Sequence, residues 1–245
     1  MIGLFIELLL SWVLLRFIEK TNLLALGLSP TLQRLKELGI GLLLTIPVSV
    51  AFYLAVAALV HNPYHPQPRY GWKDAGLSLA YLFRSVAYED LLFRGALLYI
   101  LIKRIGARKA TLVSAIAFGI YHWFSYGVLG QPGQMLVVFL TTGLSGYIMA
   151  VGFERTKSMY LPFGLHFGID LVPMIIFSQS KTLGAQWLVP TYPHDPVSPG
   201  TVGALSVYIV YFTWFPLLSL WYFRRKGRLA PIHSATSSPD SRSPS

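Results

Sequence analysis

The chain has 245 residues, of which 54% are hydrophobic and only 12% charged, with no cysteine and a formal net charge of +10 at pH 7. Soluble domains carry about a quarter charged residues, so this composition and a mean hydropathy of +0.55 exclude a soluble fold and predict a multi-pass membrane protein. Without cysteine there is no disulfide framework, thiolate nucleophile or cysteine-ligated zinc.

Apolar stretches of bilayer length, roughly 17–25 residues each, run over 2–18, 38–60, 74–102, 110–125, 134–153, 158–178 and 203–223. They lack the alternation of a membrane barrel. The expected fold is therefore all-α: a polytopic transmembrane helical bundle of about seven spans, forming one integral-membrane domain over 1–229. The first stretch has no basic leader, carries Glu7 early and shows no small-residue cleavage site before Arg16, so it reads as an anchor. Residues 19–37 mix charges with Leu23, Leu24, Leu26 and Leu28 and read as an interfacial connection. Loops are expected at 61–70 and 190–199, and a tight turn at 130–133. His61 and His65 have metal-like spacing, but Pro63 and Pro66 prevent a regular helix, so they belong to a loop. Residues 230–245 are Ser- and Pro-rich and read as a disordered tail.

The basic residues stand at stretch ends: Arg16 and Lys20, Arg34 and Lys36, 103–109, Arg155 and Lys157, and 224–228. That is topological charge rather than a polyanion-binding face, and no nucleic-acid partner is expected. It places the C-terminus in the cytoplasm and the 61–73, 126–133 and 180–202 loops outside. The expected location is a bacterial plasma membrane. The terminal cluster of Arg224, Arg225, Lys226 and Arg228 also suits anionic lipid headgroups.

The third stretch contains Glu89-Asp90-Leu91-Leu92-Phe93-Arg94. A charge at the centre of a membrane helix costs roughly 2.5–3.5 kcal/mol on insertion scales, so these residues must face a partner or a wet cavity. Asp90 and Arg94 have the i,i+4 spacing of an ion pair, which leaves Glu89 as the free carboxylate, with Arg84 within reach of it. The fourth stretch adds Phe118 and His122 on one face. The sixth adds His166 and Asp170 on one face, with Gly164 and Gly168 roughly opposite as a small-residue surface for close backbone approach. Glu89 stands 15 residues before Arg104, His122 13 after Lys109 and Asp170 13 after Lys157. At 1.5 Å per residue all three come about 20 Å from the same side, with His166 one turn lower. Four polar side chains from three helices are thus expected to converge in one layer.

The order Glu-acidic-x-x-x-Arg, Phe-x-x-x-His, His-x-x-x-(Asn/Asp) over about 85–172 resembles the CPBP family of intramembrane proteases, which includes type II CAAX prenyl endopeptidases and bacteriocin-immunity proteins. The resemblance implies Glu89 as the catalytic carboxylate and His122 as its partner, with His166 and Asp170 completing the site and Asp90 and Arg94 supporting it. It departs from the family at two positions. Asp90 stands where Glu is usual. Asp170 stands where Asn is usual, and an ionised carboxylate cannot donate a hydrogen bond to an oxyanion as an amide can.

No Ser, Thr or Cys carries the resemblance, so a Glu89-activated water is the expected nucleophile, acting on a peptide or protein substrate in or beside the lipid bilayer. The cofactor is either none or a divalent metal such as zinc, for which Glu89, His122, His166 and Asp170 are the candidate ligands; the family often carries a metalloprotease label. Two rivals remain. One is a non-proteolytic scaffold, immunity factor or ion- or proton-relay transporter. The other is a rhomboid-like serine protease using Ser145 of Gly143-Leu144-Ser145-Gly146 with His166 as base.

Overall fold

The computed structural model describes residues 2–177 and 186–226. The Ser- and Pro-rich tail over 230–245 lies outside the described residues. Helix α1 spans Ile2–Ile18 and leads through a one-turn 3-10 segment, Leu23–Leu26, to α2, Leu32–Leu59. The 3-10 turn is nucleated by Asn22, whose Oδ1 accepts from Leu24 N at 2.9 Å. Helix α2 starts where Thr31 Oγ1 accepts from Arg34 N at 3.3 Å, the N-cap arrangement that satisfies an orphan donor. Because of that cap, α2 begins at Leu32, before the expected 38, and takes up the last third of the supposed interfacial connection.

Helix α3 runs over Trp72–Arg94, α4 over Ala96–Ile105, α5 over Ala107–Ser125 and α6 over Pro132–Thr156. The expected single span over 74–102 is therefore two helices. The break is at Gly95, with φ −80° and ψ −134°. Its N–H still closes α3 on the Leu91 carbonyl at 3.1 Å, and a Cβ there would collide with that same carbonyl oxygen. Only glycine fits so sharp a turn.

Helix α7, Tyr160–Leu171, passes into a π-helical turn at Val172–Ile176. Pro173 has no N–H with which to continue the regular ladder. The turn instead closes from Phe177 N to Val172 O at 2.9 Å. Helix α8 spans Gly200–Lys226. A pair of three-residue strands was not foreseen: β1, Tyr64–Pro66, pairs antiparallel with β2, Leu188–Pro190. They tie together two expected loops, and Phe177 bridges to Leu188 alongside.

The all-α membrane architecture is thus borne out, with eight α-helices among the described residues. By length and composition alone, three are able to cross a membrane: Leu32–Leu59, Pro132–Thr156 and Gly200–Arg225. The other helices are short or carry charge, α3 most of all. Helix α2 lies along α7, α5 lies along α6, and α3 touches α5, α6 and α7. The α2–α7 crossing is backbone on backbone. A Cβ at Gly41 would come within 2.6 Å of Leu165 N, one at Gly164 would strike the Leu38 carbonyl, and one at Gly168 would strike Thr45 Oγ1. The small-residue surface read from the sequence is therefore the seat of α2. The opposite face of α7 is left to hold His166 against α3.

Candidate active site

Glu89, Asp90 and Arg94 sit in the last two turns of α3, Phe118 and His122 in the last two turns of α5, and His166 and Asp170 on α7. These helices bring all four sequence-predicted site residues together. Glu89 Oε2 lies 3.9 Å from His122 Nε2 and 3.7 Å from His166 Nε2. His166 Nε2 lies 3.4 Å from Asp170 Oδ2. Glu89 therefore stands between two imidazoles rather than beside His122 alone. The separations exceed a direct hydrogen bond and suit a bridging water.

Burial grades the cluster. Asp90 and Arg94 are fully enclosed, and His122 and His166 are 7% and 4% exposed. The side chains of Glu89 and Asp170 are 14% and 34% exposed, so these two carboxylates face the open side.

Both rings are held from behind. His122 Nδ1 lies 2.8 Å from the Phe118 carbonyl. A carbonyl only accepts, so Nδ1 carries the proton and Nε2 is directed at Glu89. His166 Nδ1 lies 3.0 Å from Asp90 Oδ1, and Arg94 Nη1 donates to that same oxygen at 3.0 Å. The i,i+4 pair expected from the sequence is present, and it does more than neutralise charge: it orients His166. Arg94 is seated by the Phe118 ring, 3.9 Å from its centroid, and by Met149 Sδ at 3.2 Å from Nη2. Phe118 also meets both imidazoles edge-on, with centroids at 4.4 Å and 5.7 Å.

Three features were missed. Neither the Asp90–His166 bond nor the Met149 contact has any local signal, because each depends on how α3 crosses a distant helix. The Phe118 contact was half visible, since Phe118 and His122 share a face. One expectation is corrected: Arg84 is exposed and lies over the Tyr81 ring at 5.3 Å, not beside Glu89, because its helical position points it out of the bundle.

A catalytic zinc needs three protein ligands about 2.0–2.2 Å from one point. Among the described residues no three His, Asp or Glu side chains are arranged to hold an ion, so the donor set does not fit that group. Ser145 is likewise not aimed at His166. Its hydroxyl donates to Thr141 O at 3.0 Å, while Gly146 receives the Phe118 ring. Gly143 and Gly146 thus serve packing between α5 and α6. His61 and His65 are not brought to the site; His65 lies in β1.

Fold and site together define an integral membrane protein with an internal carboxylate–histidine centre. Residues 71–172 match the family model described as type II CAAX prenyl endopeptidase Rce1-like, which bears out the resemblance drawn from the three motifs; all of them fall inside that segment. No curated protein and no solved structure matches the chain.

Proposed function

We propose that the protein is an intramembrane endopeptidase that hydrolyses a peptide bond in or beside the bilayer with a water activated by Glu89. The observation that supports this best is the position of Glu89 Oε2, 3.9 Å from His122 Nε2 and 3.7 Å from His166 Nε2, within the segment that matches an endopeptidase family.

In this reading a water bridges Glu89 and His122. Glu89 takes one proton as the water oxygen attacks the scissile carbonyl carbon. The carbonyl oxygen becomes an oxyanion and is met by His166, which in its imidazolium form donates Nε2–H to it while Nδ1–H stays on Asp90. As the carbon–nitrogen bond breaks, the leaving amine takes a proton through His122, and Glu89 is restored. Asp170, 3.4 Å from His166 Nε2, positions that imidazole from the open side. An ionised carboxylate cannot replace the amide usual at this place as an oxyanion donor, so His166 carries that role. The substrate is a peptide segment anchored at the membrane; the family's name points to prenylated C-terminal motifs. That substrate requires a cytoplasmic opening, whereas the basic clusters put the 126–133 loop outside. Cysteine accessibility at that loop, in this cysteine-free chain, settles the orientation.

The test is cleavage of prenylated and unprenylated membrane-anchored reporter peptides by wild type and by Glu89→Gln, reconstituted in lipid. The near-isosteric amide cannot take the proton. Cleavage is expected to vanish in the variant while its elution profile stays that of wild type. Retained cleavage by Glu89→Gln overturns the assignment.

A further inference from the structure

A second feature lies at the end of the bundle that carries the basic loops, away from the carboxylate–histidine centre. A cleft of about 590 Å3 opens between the start of α5, the end of α6 and the end of α8. That volume falls within the range of ordinary ligand sites, roughly 300–1,000 Å3. Its rim carries Arg108, Lys109, Arg155 and Arg224, against one acid, Glu154.

Glu154 is already engaged, at 3.5 Å by Arg155 and 3.6 Å by Lys157. Among the described residues Arg108, Lys109 and Arg224 have no ion-pair partner. Lys103 and Arg104, close by in sequence, are both paired with Glu19. Three basic side chains without an ion-pair partner among the described residues therefore stand together on the rim of the cleft.

Ile105, Val151 and Leu220 supply an apolar part of the wall, with Thr111 and Tyr147 adding polar groups. Beside it, α8 shows lipid-type features on its outer face. Trp214 and Leu217 are exposed, and exposed Trp221 lies under the Arg225 guanidinium at 4.5 Å. Tryptophan and arginine mark the headgroup level of a bilayer. A cationic rim at that level over an apolar wall complements a molecule with an anionic head and a hydrocarbon body. Basic pockets between membrane helices hold anionic headgroups in this way.

We infer that the cleft between α5, α6 and α8 is a binding site for an anionic phospholipid, its phosphate held by Arg108, Lys109 and Arg224 and its acyl chain laid on Ile105 and Leu220. The site is independent of the peptidase reading and stands or falls without it.

The experiment is native mass spectrometry of the full chain in detergent, titrated separately with dioleoyl phosphatidylglycerol, dioleoyl phosphatidylcholine and inorganic phosphate. Wild type is expected to take up phosphatidylglycerol saturably and in preference to phosphatidylcholine. Each basic side chain near an anionic headgroup is worth about a fivefold factor, so Arg108→Gln with Arg224→Gln weakens that uptake about 25-fold. A control pair of equal charge change, Arg69→Gln with Lys73→Gln, leaves it unaltered. Leu220→Trp fills the apolar wall with every charge retained, and weakens phosphatidylglycerol uptake as well; it decides the matter if the arginine pair does not fold. Equal weakening in the control pair overturns the inference, as does equal uptake of phosphatidylcholine. Binding of inorganic phosphate with the same loss on removing Arg108 and Arg224 makes this a free-anion site and overturns the lipid assignment.

Discussion

His166 Nδ1 and Arg94 Nη1 converge on a single oxygen of Asp90, each at 3.0 Å. This joins α3 to α7 through a fully buried carboxylate and determines where the other nitrogen of His166 points. Asp90 is adjacent to Glu89 in sequence yet faces a different way, about 100° around the helix. One turn of α3 thus supplies both the proposed base and the group that aims its neighbour.

Asp90→Asn tests that role. The amide oxygen still accepts from Nδ1–H, but without the charge that steadies an imidazolium. Misplacing a reacting group by about 1 Å can cost roughly 100-fold in rate, so kcat is expected to fall by up to about that factor. KM should hardly move, because Asp90 is fully enclosed and touches no substrate. Steady-state kinetics on the reporter peptide checks the split; a rise in KM at constant kcat contradicts it.

Arg94 and Asp90 also set a stability experiment. Removing one partner of a buried pair strands the other and typically costs about 3–5 kcal/mol, whereas replacing both with apolar residues of similar volume is often neutral. The pair is imperfectly satisfied as it stands: among the described residues, Asp90 Oδ2 and Arg94 Nε have no hydrogen-bond partner. Arg94→Met is therefore expected to destabilise by about 3–5 kcal/mol, with Asp90→Leu recovering most of the loss in the double variant. Thermal unfolding in detergent reads both. The double variant remains inactive, which separates folding from orientation.

The helices were legible because bilayer-length apolar runs state themselves, and the four-residue cluster because charge in such a run has nowhere else to go. A close-packing face of α7 was legible from Gly164 and Gly168, though not that α2 is the helix seated on it. Other features were not, for identifiable reasons. The break at Gly95 hides inside an unbroken apolar pattern, since hydropathy does not register a change of direction. The early start of α2 depends on one hydroxyl, that of Thr31. Pairing of β1 with β2 joins segments separated by about half the chain. The Asp90–His166 bond depends on the angle at which α3 meets α7, which no local spacing encodes.

Metal removal follows from the donor geometry. With no three His, Asp or Glu side chains among the described residues arranged around one point, chelation is expected to leave cleavage within about twofold of the untreated rate, since a catalytic zinc would instead need three such ligands. Metal analysis of the detergent-purified protein should find less than one equivalent. Stoichiometric metal, with activity lost to chelator and restored by zinc, would falsify the water-and-carboxylate reading.

Ser145→Ala distinguishes the serine-protease alternative. The hydroxyl is satisfied by Thr141 O on its own helix, and a back-bonded serine within a membrane helix contributes little. Cleavage is expected to be unaltered, and a fluorophosphonate probe should not label the wild type. Labelling that disappears in Ser145→Ala would restore the alternative.

The last prediction links packing to the site. Gly164 lies two residues before His166, and a Cβ there meets the Leu38 carbonyl of α2. Backbone cannot rotate away as a side chain can, so even Gly164→Ala must push α7 from α2. Overpacking of this kind costs about 1–3 kcal/mol. The displacement acts on the helix that carries His166 Nε2, and misplacing a reacting group by about 1 Å can cost roughly 100-fold in rate. Activity is therefore expected to fall further than stability alone explains. Gly39→Ala on α2 is the control: among the described residues nothing lies within 4 Å of a Cβ there, and relief of glycine's entropy within a helix favours it by about 0.5–1 kcal/mol. Unfolding temperature and cleavage rate measured on both variants should diverge for Gly164→Ala and agree for Gly39→Ala; parallel losses in both would sever α2 packing from the placement of His166.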